Sequence, residues 1–356
     1  MFVNLDPPLD FKNKRLGFMG DSITDGHTLI LLVKQSLQAA GIEPPICTNM
    51  AVCGNRAHDM LKRWDRDVLS LKPDVCLLSV GVNDANNAVS LSTYQQHVTQ
   101  LLDRFEHAGI EVLLLTPTPI TNPQKIEQAQ PLINAYVQWL ERESKQRGLR
   151  LASVNRAFHD ALAQSVSVLG NDGIHLDFPG YRIMARCVLN AMGHAHVPVV
   201  DALAIQPMPG LIEHWHIRPA THSIALTEEQ VGKLEPDSHW HSLELPLKQA
   251  VPDNWWLDQE RQRGFAVSLG NHIGSSKHNI GIAILEQSKD QQVYLNTGAN
   301  LKTIWLNGQQ VYNAPGDSGW HAGRERIPIQ LSKGNNHLVI EFSDSFFLSM
   351  TDTGNW

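Results

Sequence analysis

Leu16-Gly17-Phe18-Met19-Gly20-Asp21-Ser22-Ile23-Thr24 is the stretch whose reading decides the fold. Its first four residues form an apolar run, and a helical pattern follows from about Thr28 to Ala40. Ser22 is therefore expected at a strand end, just before a helix N-terminus. Unpaired backbone N–H groups point outward at such a place, and the helix dipole favours negative charge there. A serine so placed can attack a carbonyl while its own N–H helps to hold the oxyanion that forms. An isolated Gly-Asp-Ser would be read as a turn with an N-cap. Three further stretches, at Gly54, Asn83 and Asp172 to His175, change that reading.

Outward from this stretch, strand and helix alternate from Arg15 to about Gly193. Ile46 to Val52 reads as a second strand and Arg56 to Leu71 as a helix. Asp74 to Val80 is a near-continuous apolar strand, of the kind buried on both faces of a parallel sheet. A helix from Leu91 to Ala108 has a Ser92 cap region and stops at Gly109. Ile110 to Thr116 is a buried strand, Gln128 to Arg147 a helix ended by Gly148, and Leu149 to Val154 the fifth strand. Asp177 starts a last helix with Pro179 in its first turn. This order predicts an α/β three-layer sandwich around a parallel sheet. Catalytic groups in such sheets gather beyond the carboxyl ends of the strands.

The composition shifts at about His194. Residues 1–195 are expected to form a catalytic domain, 196–245 a linker and domain-entry segment, and 246–356 an all-β sandwich domain. The strands expected there are Phe265 to Leu269, Ile280 to Leu285, Gln292 to Leu295, Thr303 to Leu306, Gln309 to Tyr312, Ile327 to Leu331 and His337 to Phe342. Asn307-Gly308 between two of them is a strong hairpin signal, and Lys333-Gly334-Asn335-Asn336 is a second turn of similar kind. Short strands with regular turns suggest an antiparallel sandwich.

The chain has 356 residues, with 42% hydrophobic and 18% charged residues, as suits a globular protein of two domains. A formal net charge of −7 offers no basic footprint, so nucleic acid is not an expected partner. No apolar run is long enough for a membrane span. The stretch from Met1 to Arg15 is polar and lacks an apolar h-region, which gives the expectation of a cytoplasmic protein. Cys47, Cys53, Cys76 and Cys187 show no CxxC spacing, so neither a disulfide framework nor a zinc site is expected. Self-association is left open.

Ester hydrolysis by serine needs a hydroxyl, a base, a group to hold that base and donors for the oxyanion. Asp172-Gly173-Ile174-His175 can supply base and orienter together, since residues three apart in a turn can face the same way. The carboxylate would accept from one imidazole nitrogen and leave the other for Ser22. Asn83, in Gly81-Val82-Asn83-Asp84, follows the most buried strand and can aim its side-chain NH₂ at the oxyanion. Gly54 follows Asn49 by five residues and can offer a backbone N–H where a side chain would obstruct the substrate. Singly, each also fits a plain turn or a solvent-facing helix start.

Together the four stretches resemble the SGNH hydrolases, also called the GDSL esterase/lipase family, named for a Ser, Gly, Asn and His. The matching positions are Ser22, Gly54, Asn83 and His175, with Asp172 three before the histidine. The resemblance covers about residues 14 to 193; Ile23 stands where many members have Leu. It implies a flavodoxin-like α/β fold and metal-free ester hydrolysis through an acyl-serine, without a cofactor. The triad would be Ser22, Asp172 and His175, and the oxyanion hole Ser22, Gly54 and Asn83. The α/β-hydrolase reading shares the order Ser, Asp, His but requires G-x-S-x-G, which this stretch lacks.

His214-Trp215-His216 and His239-Trp240-His241 invite a metal reading, but no third ligand stands in pattern, so surface or core histidines are favoured. Trp255-Trp256, Trp305 and Trp320 suit either sugar stacking or core packing, the commoner use. The stretch Ile304 to Tyr312, with the turn at Lys333, is similar to the β-sandwich accessory modules of glycoside-processing enzymes. The expectation is a serine esterase acting on a small acyl ester, acetyl by preference, of a small molecule or oligosaccharide. Short-chain aryl or lipid esters are the alternative substrates, and a carbohydrate-binding protein on an esterase scaffold is the alternative class.

Overall fold

The computed structural model describes residues 7–11, 13–220, 226–247, 259, 261–265, 269, 273–274, 276–298, 300–314 and 325–352. The chain divides into two compact units, Met1–Leu203 and Ala204–Trp356.

The first unit runs β1 (Arg15–Met19), α1 (Ser22–Asp25), α2 (Thr28–Ala39), β2 (Ile46–Asn49), α3 (Ala57–Lys62), β3 (Val75–Ser79), α4 (Val82–Asn86), α5 (Leu91–His107), β4 (Glu111–Leu115), α6 (Ile126–Arg147), β5 (Arg150–Ala152), α7 (Val154–Ala163) and α8 (Phe178–Ala191). Its five strands form a parallel sheet of order β2-β1-β3-β4-β5. All five residues of β3 are buried, as are all but the first of β1 and β4. Such strands need cover on both faces, and the helices supply it in two groups. α2 packs on α8, which also meets α7 and β5, while α5 packs on α3 and α6. α5 shows how the pattern drives this: Tyr94, Val98, Leu101, Leu102 and Phe105 make one buried stripe, and Ser90 caps its start by accepting from Thr93 N–H.

The sheet order places β1 between β2 and β3. The chain turns to one side after β1 and to the other before β3, so the topological switch point, where ligand sites of such sheets form, lies beyond these strand ends. Ser22 follows β1, Gly54 lies in the loop after β2, and Asn83 follows β3.

Several local differences from the sequence pattern have physical causes. The helix expected from Arg56 to Leu71 is broken. α3 ends at Lys62, and Asp65–Leu69 form a π-helical turn. A π turn accommodates an extra residue, and here the buried Asp67 carboxylate pairs with Arg63 and Arg66. α7 was not expected; Val154, Phe158 and Ala161 form its buried stripe. The second strand ends at Asn49, whose side chain turns to the Ala51 N–H and the Asp25 carbonyl.

The second unit runs β6 (His214–Ala220), α9 (Glu228–Gly232), β7 (His241–Glu244), β8 (His278–Gln287), β9 (Gln291–Gly298), β10 (Leu301–Leu306), β11 (Gln309–Asn313), β12 (Glu325–Leu331), β13 (Gly334–Phe342) and β14 (Phe347–Thr351). They form a six-stranded sheet, β11-β10-β13-β8-β6-β7, and a three-stranded sheet, β12-β9-β14. Every pairing is antiparallel. Trp215, Leu285, Leu338 and Ile340 of one sheet share a core with Leu295, Ile329 and Leu331 of the other, as in a sandwich. Asn307-Gly308 closes the β10–β11 hairpin. The turn at Lys333 instead joins β12 to β13, which lie in different sheets. Asn336 secures it, accepting from Ser332 N–H and donating to the Ser332 carbonyl.

β6 and β7 fall within the stretch read as linker and domain-entry segment. Residues 197–201 are held on the first unit: Arg182 and Arg186 donate to the Val200 and Val197 carbonyls, and Val200 N–H donates to Ser36. The strand expected at Phe265 to Leu269 lies largely outside the described residues, as do Trp255, Trp256 and Trp320.

Candidate active site

Ser22 is the first residue of α1, and Asp21 caps that helix by accepting from Ile23 N–H at 3.0 Å. Ser22 Oγ lies 2.9 Å from Nε2 of His175. Nδ1 of the same ring lies 2.5 Å from Oδ2 of Asp172. With Nδ1–H donating to the carboxylate, Nε2 is left as an acceptor for the serine hydroxyl. Oδ1 of Asp172 accepts from the N–H groups of Ile174 and His175, each at 2.9 Å. One carboxylate thus fixes both the turn and the ring.

The turn is also held from outside. Thr121 N–H donates to the Gly173 carbonyl at 2.9 Å, and Asn122 Nδ2 donates to the Asp172 carbonyl at 2.7 Å. Gly173 has φ +65°, and a Cβ there would lie 2.5 Å from Asn122 N. Both the sign of φ and the close approach require glycine.

Partial burial works against a charged Asp172, but the His175 ring and the two N–H groups outweigh it and hold the carboxyl below its ordinary value. The side chains of His175 and Asp172 are 51% and 47% exposed, so the dyad is open to solvent. Asp21 is the opposite case. Burial pushes it up to about 6, against the lowering effect of Ile23 N–H and His175. Cys53 sits beside the serine. Burial, with Asp25 and Asp21 adding, pushes its thiol up to about 11, while a hydrogen bond with Ser22 opposes.

The N–H groups of Ser22 and Gly54 donate to no other described residue. Gly54 has φ +76°, and a Cβ there would meet nothing within 4 Å. Backbone sign, then, is what asks for glycine at this position. Asn83 Nδ2 lies 3.3 Å from Oδ2 of Asp21 and 3.4 Å from the Asn55 carbonyl. These bonds are long, and the amide is held between the two loops. Sequence reasoning missed Asp21 as a partner of Asn83, and missed Asn55 and Asn122 altogether. Only Asp21 carried a signal, its place in the opening motif.

The described histidines of the second unit do not gather. His214 and His216 are exposed on β6, His216 Nδ1 lies 3.3 Å from Ser242 Oγ, and His239 Nδ1 lies 3.2 Å from Asp237. Among the described residues no group of three or more His, Cys, Asp or Glu is placed to hold a metal ion. Trp215, Trp240 and Trp305 are buried, which leaves their rings to the core. Among the same residues no helix is long and apolar enough to cross a membrane.

A flavodoxin-like parallel sheet with Ser, His and Asp bonded in series beyond its strand ends defines a serine hydrolase of the SGNH class. Residues 18–183 match the model of the GDSL-like lipase/acylhydrolase family, so the first unit is a domain of that family and the protein a carboxylic ester hydrolase. An acetylxylan esterase of Geobacillus stearothermophilus is 24% identical over 207 residues, which cover 51% of this chain and 94% of the relative. The crystal structure of Axe2, an acetylxylan esterase from the same organism, is 22% identical, covers 51% of this chain and 94% of its own, and has a TM-score of 0.46. A putative GDSL-like lipase from Parabacteroides merdae is 20% identical, with 53% and 100% coverage and a TM-score of 0.47.

Proposed function

We propose that the protein is a serine esterase that removes a small acyl group, acetyl, from a carbohydrate ester. The observation that carries this reading is the bonded series Ser22–His175–Asp172. His175 Nε2 takes the hydroxyl proton as Ser22 Oγ attacks the ester carbonyl carbon. The oxyanion is received by the N–H groups of Ser22 and Gly54, with Asn83 Nδ2 turning from its long bonds to join them. His175 then gives its proton to the departing alcohol, and acyl-Ser22 remains. A water attacks in the second half, with His175 again as base, and acetate leaves. The open setting of the dyad suits a bulky alcohol. The acetyl and sugar assignments draw on the acetylxylan esterase relative.

The test is acetate release from a chromogenic acetate ester and from acetylated xylo-oligosaccharides. Release from both by the native chain, and from neither by Ser22→Ala, is expected. Turnover of aryl or short lipid esters without acetylated sugars would leave the serine esterase and remove the carbohydrate.

A further inference from the structure

Arg63 stands just past the end of α3, and its side chain is only 9% exposed. All three guanidinium nitrogens are engaged. Nε donates to Asn55 Oδ1 at 2.6 Å and Nη2 to the Gly20 carbonyl at 3.3 Å. Nη1 donates to the Met50 carbonyl and to the Asp67 carboxylate. These acceptors belong to three separate segments: the end of β1, the loop after β2 and the π turn. Gly20 immediately precedes Asp21 and Ser22. Met50 and Asn55 bracket the loop that carries Gly54. The Asn55 carbonyl and the Asp21 carboxylate are also the two acceptors that hold the Asn83 amide.

We propose that Arg63 is a positioning residue for the oxyanion hole: its one planar group sets the spacing of the strand end before Ser22 against the loop bearing Gly54. This rests on the roles proposed above for Ser22, Gly54 and Asn83. A buried ion pair is by itself weak evidence of anything but local balance. Asp67 has that balance without Arg63, because Arg66 reaches both its oxygens at 2.7 and 2.8 Å. The bonds to Gly20, Met50 and Asn55 are the ones a counter-ion role does not require. An ammonium is a compact point charge and cannot reproduce a fork of donors aimed along several directions. The oxyanion bonds strengthen only as charge develops, so loosening the hole acts on kcat and leaves ground-state binding alone.

The experiment compares the native chain, Ser22→Ala, Arg63→Lys and Arg63→Met on a chromogenic acetate ester, with circular dichroism on each. Arg63→Lys is expected to lower kcat by about ten- to a hundredfold, part of what a lost donor costs. KM should stay within about threefold. The acidic limb of the kcat/KM profile should not move, because the His175–Asp172 pair makes no bond to Arg63. A general loss of order would shift KM and that limb together. A folded Arg63→Lys with native kcat overturns the proposal while the dead Ser22→Ala keeps the esterase reading. An active Ser22→Ala overturns both. Failure of both Arg63 variants to fold also overturns it, since Arg63 would then serve stability.

Discussion

A serine hydroxyl is a poor nucleophile until a base takes its proton, and the base proposed for Ser22 is His175, whose Nε2 lies 2.9 Å from Oγ. Ser22→Ala is expected to stay folded, since the hydroxyl bonds to His175 in the site, and to lose several orders of magnitude in kcat. A serine-directed phosphonate should label the native chain and leave the variant unlabelled. Asp172→Asn keeps the shape but offers an NH₂ where the ring needs an acceptor. A fall of about a thousandfold or more is expected, with substrate affinity little changed. The His175 ring and two N–H groups hold the Asp172 carboxyl below its ordinary value, so it keeps its charge, and its bond to Nδ1, through the range in which ordinary carboxylates protonate. A flat acidic limb in kcat/KM would remove histidine as the base. Asn83→Ala should lower kcat by roughly a hundred- to a thousandfold with little change in KM, as for one lost oxyanion donor. These residues were legible because serine chemistry needs fixed residue types at short spacings, and DxxH satisfies one such spacing within a single turn. Asn122 and Asn55 were not. Asn55 meets Asn83 from 28 residues away and Asn122 meets Asp172 from 50, and no local pattern records such pairs.

At the level of elements, the start of α3 is the revealing place. Its first N–H, on Ala57, donates to both oxygens of Asp84, at 3.3 and 3.2 Å, across from α4. Burial pushes Asp84 up to about 7 from an ordinary 3.8; Ala57 N–H opposes and the Asp21 charge adds. The native state therefore binds this proton more tightly than the unfolded chain does. Stability falls as pH rises from about 4 to about 7, and the full penalty is present above that. Asp21, raised to about 6, acts in the same direction. Asp84→Asn keeps an acceptor for Ala57 and abolishes the titration. It is expected to stabilise the fold at pH 8 by an amount on the order of a few kcal/mol, shrinking toward pH 4. Urea melts at the two pH values check this, and an equal difference at both would exclude Asp84 as the source. The long helices and the strands buried on both faces were legible because apolar periodicity reports burial directly. The break after Lys62 was not. It follows from Asp67 meeting Arg63 and Arg66, and polar residues in a helical pattern read as a solvent face. β6 was hidden by Pro219, and by alternating histidines whose inward neighbours, Trp215 and Ile217, supply the burial.

For the whole molecule, the question is where the chain can be divided. All the residues proposed for chemistry lie before residue 176, inside the unit that ends at Leu203. The sequence pattern suggested a cut near Ala195, where composition changes. Such a cut would remove Val197 and Val200, which bond to Arg186, Arg182 and Ser36 on α8 and α2. Two half-buried guanidinium groups would lose their carbonyl partners, each such bond being worth about 0.5–1.5 kcal/mol, and the fully buried Val197 would be lost from the core. A chain ending at Leu203 is therefore expected to melt several degrees above one ending at Ala195, and circular dichroism reads that difference. The longer fragment should cleave a small acetate ester with kcat near that of the full chain. On acetylated oligosaccharides its kcat/KM should fall, if the β-sandwich unit supplies remote binding energy to that substrate. Equal activity on both substrates would exclude a substrate-binding role for the second unit. Loss of the small ester by a folded Leu203 fragment would mean that residues after 203 help to build the active site, and that catalysis does not belong to the first unit alone.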